Sequence, residues 1–167
     1  MTRSVTFTFN IEPTGKGRPR GRVAMSKATG RQFVQEYTPA PTAHAEAVIR
    51  AQVKAEGGGE FFESGLPLRA VIEFVLPRPP SVSKRRVWPV TKPDLDNTEK
   101  LVEDALERFL YSGDAQIVDV RKRKVYGPVP CVRLFVSEAE LAPDAEWWEQ
   151  MTRIEERESR PLAGVLL

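Results

Sequence analysis

An apolar run at residues 69–76, RAVIEFVL, limits the folds that are open to this chain. Its length and its β-branched and aromatic residues favour a strand over a helix. Pro77, Pro79 and Pro80 follow the run, and proline closes a strand because it cannot donate to the hydrogen-bond ladder of a sheet. The sequence therefore predicts a buried strand near the middle of the chain.

Apolar residues at helical spacing predict one helix before this strand and one after it. We expect the first at residues 41–55, where three glycines at 57–59 then end it. We expect the second at about residues 98–110, with Asp96 or Asn97 as its N-terminal cap. The strand thus lies between two amphipathic helices.

Other runs predict strands at residues 4–11, 116–126 and 130–136, the last two joined as a hairpin at Gly127. A third helix is expected at residues 143–158. Together these elements predict the α/β class, with a small mixed sheet flanked by helices and an appended C-terminal helix. We divide the chain into a domain at residues 1–137 and an acidic helix and tail at 138–167.

The composition is that of a soluble globular protein, with 41% hydrophobic and 29% charged residues. Cys131 is the single cysteine and no apolar run reaches the length of a membrane span, so we expect a cytoplasmic protein without a membrane partner. Residues 138–167 hold eight acids and three bases, which leaves 22 bases and 15 acids in residues 1–137, a net charge of +7. A basic body of this kind favours a polyanionic partner.

Two stretches without an acid carry much of this positive charge. Residues 14–31 hold six bases and four glycines, which is typical of a mobile basic loop. Residues 78–92 hold five bases around Trp88. These bases suit DNA phosphates, and Trp88 either stacks on a base or anchors the loop to the core.

Asp94 and Asp96 are the candidate chemical centre. In an extended segment, residues two apart lie on the same face, so both carboxylates can share a hard cation such as Mg²⁺. Lys100 is one helical turn further on, and we expect Asp114 to return to the same place from beyond the helix. By themselves, Asp94 and Asp96 are equally well explained as turn and cap residues.

Two other metal motifs do not fit. A calcium-binding EF-hand loop would need glycine at position 99, which is Glu99 here. The haloacid-dehalogenase phosphatases share the pattern at residues 94–98. In that family the first aspartate ends a hydrophobic strand, and several βαβ units separate it from the late acidic motif, whereas here a single helix does.

These residues closely resemble the RusA family of Holliday junction resolvases over roughly residues 5–136. The motifs that carry the resemblance are KPDLDN at 92–97, Lys100, DAL at 104–106 and DAQIV at 114–118, with GRPR at 17–20 and YTP at 37–39.

The resemblance implies a small homodimeric α/β endonuclease of DNA recombination and repair. Such an enzyme needs Mg²⁺, for which Mn²⁺ can substitute, and nicks opposed strands of a four-way DNA junction symmetrically. It also implies that Asp94, Asp96 and Asp114 bind the metal and that Lys100 is the catalytic lysine. For DNA binding we select eight bases in the two basic stretches: Lys16, Arg18, Arg20, Arg22, Lys84, Arg85, Arg86 and Lys92.

Two alternatives stay open at this point. One is a non-catalytic protein that binds branched DNA through the same basic surfaces. The other is a nuclease that acts mainly on flaps, forks or R-loops, since loops that contact the phosphate backbone do not by themselves encode branch geometry.

Overall fold

A computed structural model describes residues 3–56 and 61–139 of the chain. The predicted C-terminal helix at 143–158 and the glycines at 57–59 lie outside the described residues. Within the described ranges, no helix has the length and apolar character needed to cross a membrane.

In the part of the chain that the structure describes, the elements form one sheet of four strands, one of two strands, and two helices. In chain order they are β1 (Ser4–Phe9), β2 (Arg20–Met25), β3 (Gln32–Tyr37), α1 (Ala40–Ala55), β4 (Leu68–Pro77), α2 (Leu95–Leu106), a 3₁₀ turn (Asp114–Gln116), β5 (Ile117–Gly127) and β6 (Cys131–Glu138). The larger sheet has the order β1-β6-β4-β5, and β2 and β3 form the two-stranded sheet. The predicted α/β class with a small mixed sheet is therefore confirmed.

The apolar run forms the central strand β4. Its alternate residues Ala70, Ile72 and Phe74 are almost fully buried on one face, which packs against the apolar sides of both helices. From the helices, Ile49 of α1 and Leu101 of α2 enter the same core. The opposite face of β4 is more open to solvent: Val71 on that face is 39% exposed.

The predicted hairpin of β5 and β6 is wrong. β4 lies between them, parallel to β5 and antiparallel to β6. Parallel strands need a long crossover, and here it comprises residues 78–116, which include α2. The short connection at 128–130 is compatible with a hairpin and also with two strands on either side of β4. Local sequence therefore does not distinguish the two topologies.

Two predicted boundaries also change. The expected mobile loop at 14–31 contains β2, which pairs with β3 as a two-stranded ribbon. Helix α2 begins at Leu95, not at Thr98, and ends at Leu106, four residues before the predicted end. The apolar pattern continued beyond the helix because Leu110 is also buried, although the chain has already left the helix there.

Gln116 connects the segments that precede β4 and β5. Its amide nitrogen donates to the carbonyl oxygens of Glu63 (2.8 Å) and Leu66 (3.2 Å). Its amide oxygen accepts from the backbone N–H of Ser112 at 2.9 Å. The side chain is almost fully buried, so water cannot easily replace these bonds.

We expect Gln116→Ala to lower the free energy of unfolding by about 2–3 kcal/mol, since it leaves buried backbone groups without partners. Urea denaturation measures the change. The matched control is Gln32→Ala, at the exposed first residue of β3, which we expect to cost less than about 0.5 kcal/mol. Equal effects of the two substitutions would contradict this role of Gln116.

Candidate active site

Asp94, Asp96 and Lys100 line one cleft at the N-terminus of α2. The cleft has a volume of about 410 Å³. Its lining residues come from α2 and from the segment before β2: Lys16, Gly17, Arg18, Pro19, Asp94, Asp96, Asn97 and Lys100. The structure thus brings together three of the four predicted catalytic residues with two of the predicted DNA-binding bases.

We expected both aspartates on one extended segment, but the structure places them on different elements. Asp94 is the extended residue that immediately precedes α2 (φ −71°, ψ 143°), and Asp96 lies in the first turn of the helix. Both are exposed, and among the described residues neither carboxylate has a hydrogen-bond or ion-pair partner. Two such carboxylates in one open cleft fit Mg²⁺, which binds to one or two carboxylates and keeps positions for water and phosphate oxygens.

Backbone contacts hold the segment that carries Asp94. The ammonium of Lys124 on β5 donates to the carbonyl oxygens of Thr91 (2.7 Å) and Pro93 (2.9 Å). The hydroxyl of Thr98 donates to the carbonyl oxygens of Asp94 (3.1 Å) and Leu95 (2.8 Å). Lys124 therefore links the end of the basic loop to the sheet and sets the position from which Asp94 projects.

Sequence reasoning missed this role of Lys124. Four consecutive bases, at residues 121–124, lie on β5 and give both of its faces positive charge. In the structure Lys122 forms an ion pair with Glu99 of α2, and Lys124 binds the loop. Strand geometry could have indicated this role, because successive side chains alternate between the two faces and residues 122 and 124 therefore share one face.

The other wall of the cleft is tied to both helices. The backbone N–H of Lys16 donates to the carbonyl oxygen of Asn97 at 3.0 Å, and its ammonium pairs with Asp104. The N–H of Gly17 donates to the hydroxyl of Thr42 at 2.9 Å. A Cβ atom at position 17 would lie 2.8 Å from Cγ of Pro39, so glycine permits this close approach. Lys16, predicted to bind DNA, is thus also a structural anchor.

Asp114 is not among the residues that line this cleft. It lies in the 3₁₀ turn before β5, near Glu103, which is about 10 Å further along α2 than Asp96. In the described ranges, no three acidic, histidine or cysteine side chains lie close enough together to hold a metal ion. Within one chain, then, Asp114 does not join Asp94 and Asp96.

Glu103 lies in an unfavourable setting for a charge. Burial raises the pKa of its carboxyl, and the neighbouring carboxylates Glu99 and Asp114 raise this pKa further, while Lys122 and Lys100 oppose them. Burial also raises the pKa of Tyr111, whose hydroxyl donates to the carbonyl oxygen of Glu103 at 3.2 Å. The acidic side chains of Glu99 and Glu103 on α2 therefore lie close to Asp114.

The remaining predicted DNA-binding bases lie on two exposed surfaces. Arg20 and Arg22 are on the β2–β3 ribbon. Lys84, Arg85, Arg86 and Lys92 are on the basic loop at 78–92 and are all exposed.

Arg78 shapes the basic loop from within. Its guanidinium donates to the carbonyl oxygens of Ser83 (2.7 Å) and Arg86 and lies over the ring of Tyr126. Trp88 is 57% exposed, so it does not anchor the loop in the core. Arg78 thus binds two carbonyl groups of the loop, while Lys84, Arg85 and Arg86 stay exposed.

Comparisons with known proteins identify the family of this chain. The family described as "Endodeoxyribonuclease RusA" matches residues 10–137. The chain is also 31% identical over 144 residues to an uncharacterized protein of Bacillus subtilis (strain 168), YqaN. That alignment covers 80% of this chain and 96% of the relative. The match to the family extends over most of the described residues and includes the whole cleft, and the chain belongs to the RusA family of endodeoxyribonucleases.

Proposed function

We propose that this chain is a Mg²⁺-dependent endonuclease that resolves four-way DNA junctions by paired symmetric nicks, with Mn²⁺ as a substitute ion. The observation that carries the proposal is the pair Asp94 and Asp96, two carboxylates without partners among the described residues, in one cleft with Lys100. Membership of an endodeoxyribonuclease family gives that cleft its substrate class.

Each residue of the cleft has a chemical role in this proposal. Asp94 and Asp96 hold the metal ion, which supplies positive charge beside the scissile phosphate. The ammonium of Lys100 stabilises negative charge that grows on a phosphate oxygen or on the leaving oxygen. Arg18 at the rim and the N-terminus of α2 both favour a phosphate group at this place.

A homodimer accounts for the position of Asp114. A two-fold axis presents the same surface of each copy to the other, so the Asp114 end of one α2 can meet the Asp96 end of its partner. Two composite sites would result, one for each of the opposed strands of a symmetric junction. We therefore propose that Asp114 completes the metal site of the second copy.

We expect Asp96→Asn to abolish Mg²⁺-dependent cleavage of a synthetic four-way junction while binding in a gel-shift assay is retained. The substitution removes a charged metal ligand and keeps the shape of the side chain. Asp119→Asn is the matched control, because that aspartate pairs with Arg69 outside the cleft (2.6 Å). Normal cleavage by Asp96→Asn would contradict the assignment.

The same assay, run on flaps, forks, R-loops and linear duplex, separates the proposed substrate from the alternatives. Fastest cleavage of the four-way junction is the expected result. A wild-type chain that binds all branched DNAs and cuts none with either ion would instead be a non-catalytic binding protein.

We expect the triple change Arg18→Gln, Arg20→Gln and Arg22→Gln to weaken junction binding. It should also make the slope of log K against log salt shallower by about 2–3, because each lost phosphate contact removes about one unit. Titrations at several salt concentrations measure the slope.

The control for the arginine experiment carries the same loss of net charge elsewhere, as Arg3→Gln, Lys54→Gln and Arg133→Gln. These three bases lie outside the cleft, the ribbon and the basic loop. If both triple variants change the slope equally, the effect comes from net charge and the predicted surface is wrong.

Mixing Asp96→Asn chains with Asp114→Asn chains tests the composite site. Each variant alone should be inactive. After equal mixing and exchange of subunits, about a quarter of the sites regain both residues, so nicking should return to about that fraction of the wild-type rate. A mixture that stays inactive although heterodimers form would place Asp114 outside the partner's site.

A further inference from the structure

The β2–β3 ribbon has two different faces. Paired residues of antiparallel strands lie on the same face, and alternate residues along a strand lie on opposite faces. The register pairs Arg20 with Tyr37, Arg22 with Gln35 and Ala24 with Phe33 on one face. Gly21 with Glu36, Val23 with Val34 and Met25 with Gln32 form the other.

The first of these, which we call the aromatic–arginine face, is open to solvent. Phe33 is 49% exposed and Tyr37 is 43% exposed, so neither ring serves the core. The guanidinium of Arg22 lies between them along the face, where it donates twice to the side-chain oxygen of Gln35 (3.0 and 2.8 Å). The two rings are four residues apart on β3, a separation of about 13 Å.

Charge complementarity indicates the occupant of this face. Arg20 and Arg22 accompany the rings, whereas Glu36, the one acid of the ribbon strands, lies on the opposite face. Exposed aromatic rings interleaved with arginines suit nucleobases that are not stacked in a duplex, because the rings stack on bases while the guanidinium groups contact phosphates.

The base of the ribbon is fixed beside the cleft. β2 starts directly after Arg18 and Pro19, which line the cleft, and Gly17 is bonded to Thr42 of α1. β3 returns to the same end of the ribbon, where Tyr37 lies three residues before the start of α1. The Tyr37 end of the aromatic–arginine face therefore lies next to the cleft, and Phe33 lies about 13 Å further along the ribbon.

We propose that the aromatic–arginine face is a stacking platform for the unstacked bases at the branch point of the DNA, with Phe33 and Tyr37 as the stacking residues. This inference rests on the proposed function and adds to it a means of telling a branch from a linear duplex. A base pair inside an intact duplex is already stacked on both sides and offers no free ring surface.

The test compares neighbouring residues on opposite faces of β3. Junction affinity is measured without divalent metal for Phe33→Ala and Tyr37→Ala, with Val34→Ala as the matched control. Each aromatic substitution should weaken junction binding about fivefold to a hundredfold, while Val34→Ala changes it less than about twofold. The salt slope should stay at the wild-type value, because no charge is removed.

Three further measurements distinguish stacking from a structural effect. Tyr37→Phe and Phe33→Trp should keep wild-type affinity, since both retain a ring. Affinity for linear duplex should be nearly unchanged in all variants. 2-Aminopurine placed at the branch point should be quenched on binding by the wild-type chain and less so by Phe33→Ala.

Several results would overturn the inference. Unchanged junction binding by Phe33→Ala and Tyr37→Ala, or equal losses with Val34→Ala, would exclude a stacking role. If Phe33→Ala or Tyr37→Ala changed the protein from dimer to monomer in analytical ultracentrifugation, this face would be a protein interface instead. A wild-type chain that neither binds nor cuts branched DNA would remove the proposed function, and the inference with it.

Discussion

β4 and β5 lie side by side in parallel, and parallel strands cannot be joined by a tight turn. The chain must therefore travel back along the sheet between them, which it does through the basic loop and α2. This return path determines the position of the site. The basic loop leads from the end of β4 to the N-terminus of α2, and the cleft lies at that N-terminus. Lys124 on β5 then binds that loop at its last carbonyl group before Asp94. The same strand pairing thus creates the cleft and holds its first carboxylate in place.

The bases near the cleft, on the ribbon and on the basic loop fall into two groups with different tasks. The first group binds carboxylates or backbone carbonyl groups and so positions the cleft and the basic loop; it comprises Lys16, Arg78, Lys122 and Lys124. The second group comprises the bases on the ribbon and on the outer side of the basic loop. They are exposed, which favours a polyanionic partner. Composition records both groups as one net charge, although the ion pairs of Lys16 with Asp104 and of Lys122 with Glu99 cancel part of what the first group adds to the field that a DNA molecule meets.

Much of the fold followed from local patterns. The buried strand, both described helices and the α/β class were predicted from periodicity, because each of these elements packs one apolar face into the core. The hairpin of β5 and β6 was wrong, since strand order depends on which neighbours fit together and not on the length of a connection. The ribbon was missed for a related reason: its exposed strands show no alternation of apolar and polar residues.

The sequence by itself determined the chemistry that the cleft can carry. Asp94, Asp96 and Lys100 are close in the chain, so their proximity in space was implied by any helix that starts beside them. Tertiary structure alone decided what surrounds them, from the wall formed by Lys16 and Gly17 to the distance of Asp114. These relations join residues that are 20 to 90 positions apart, and they arise from the packing of α1, α2 and the sheet, which no local pattern encodes.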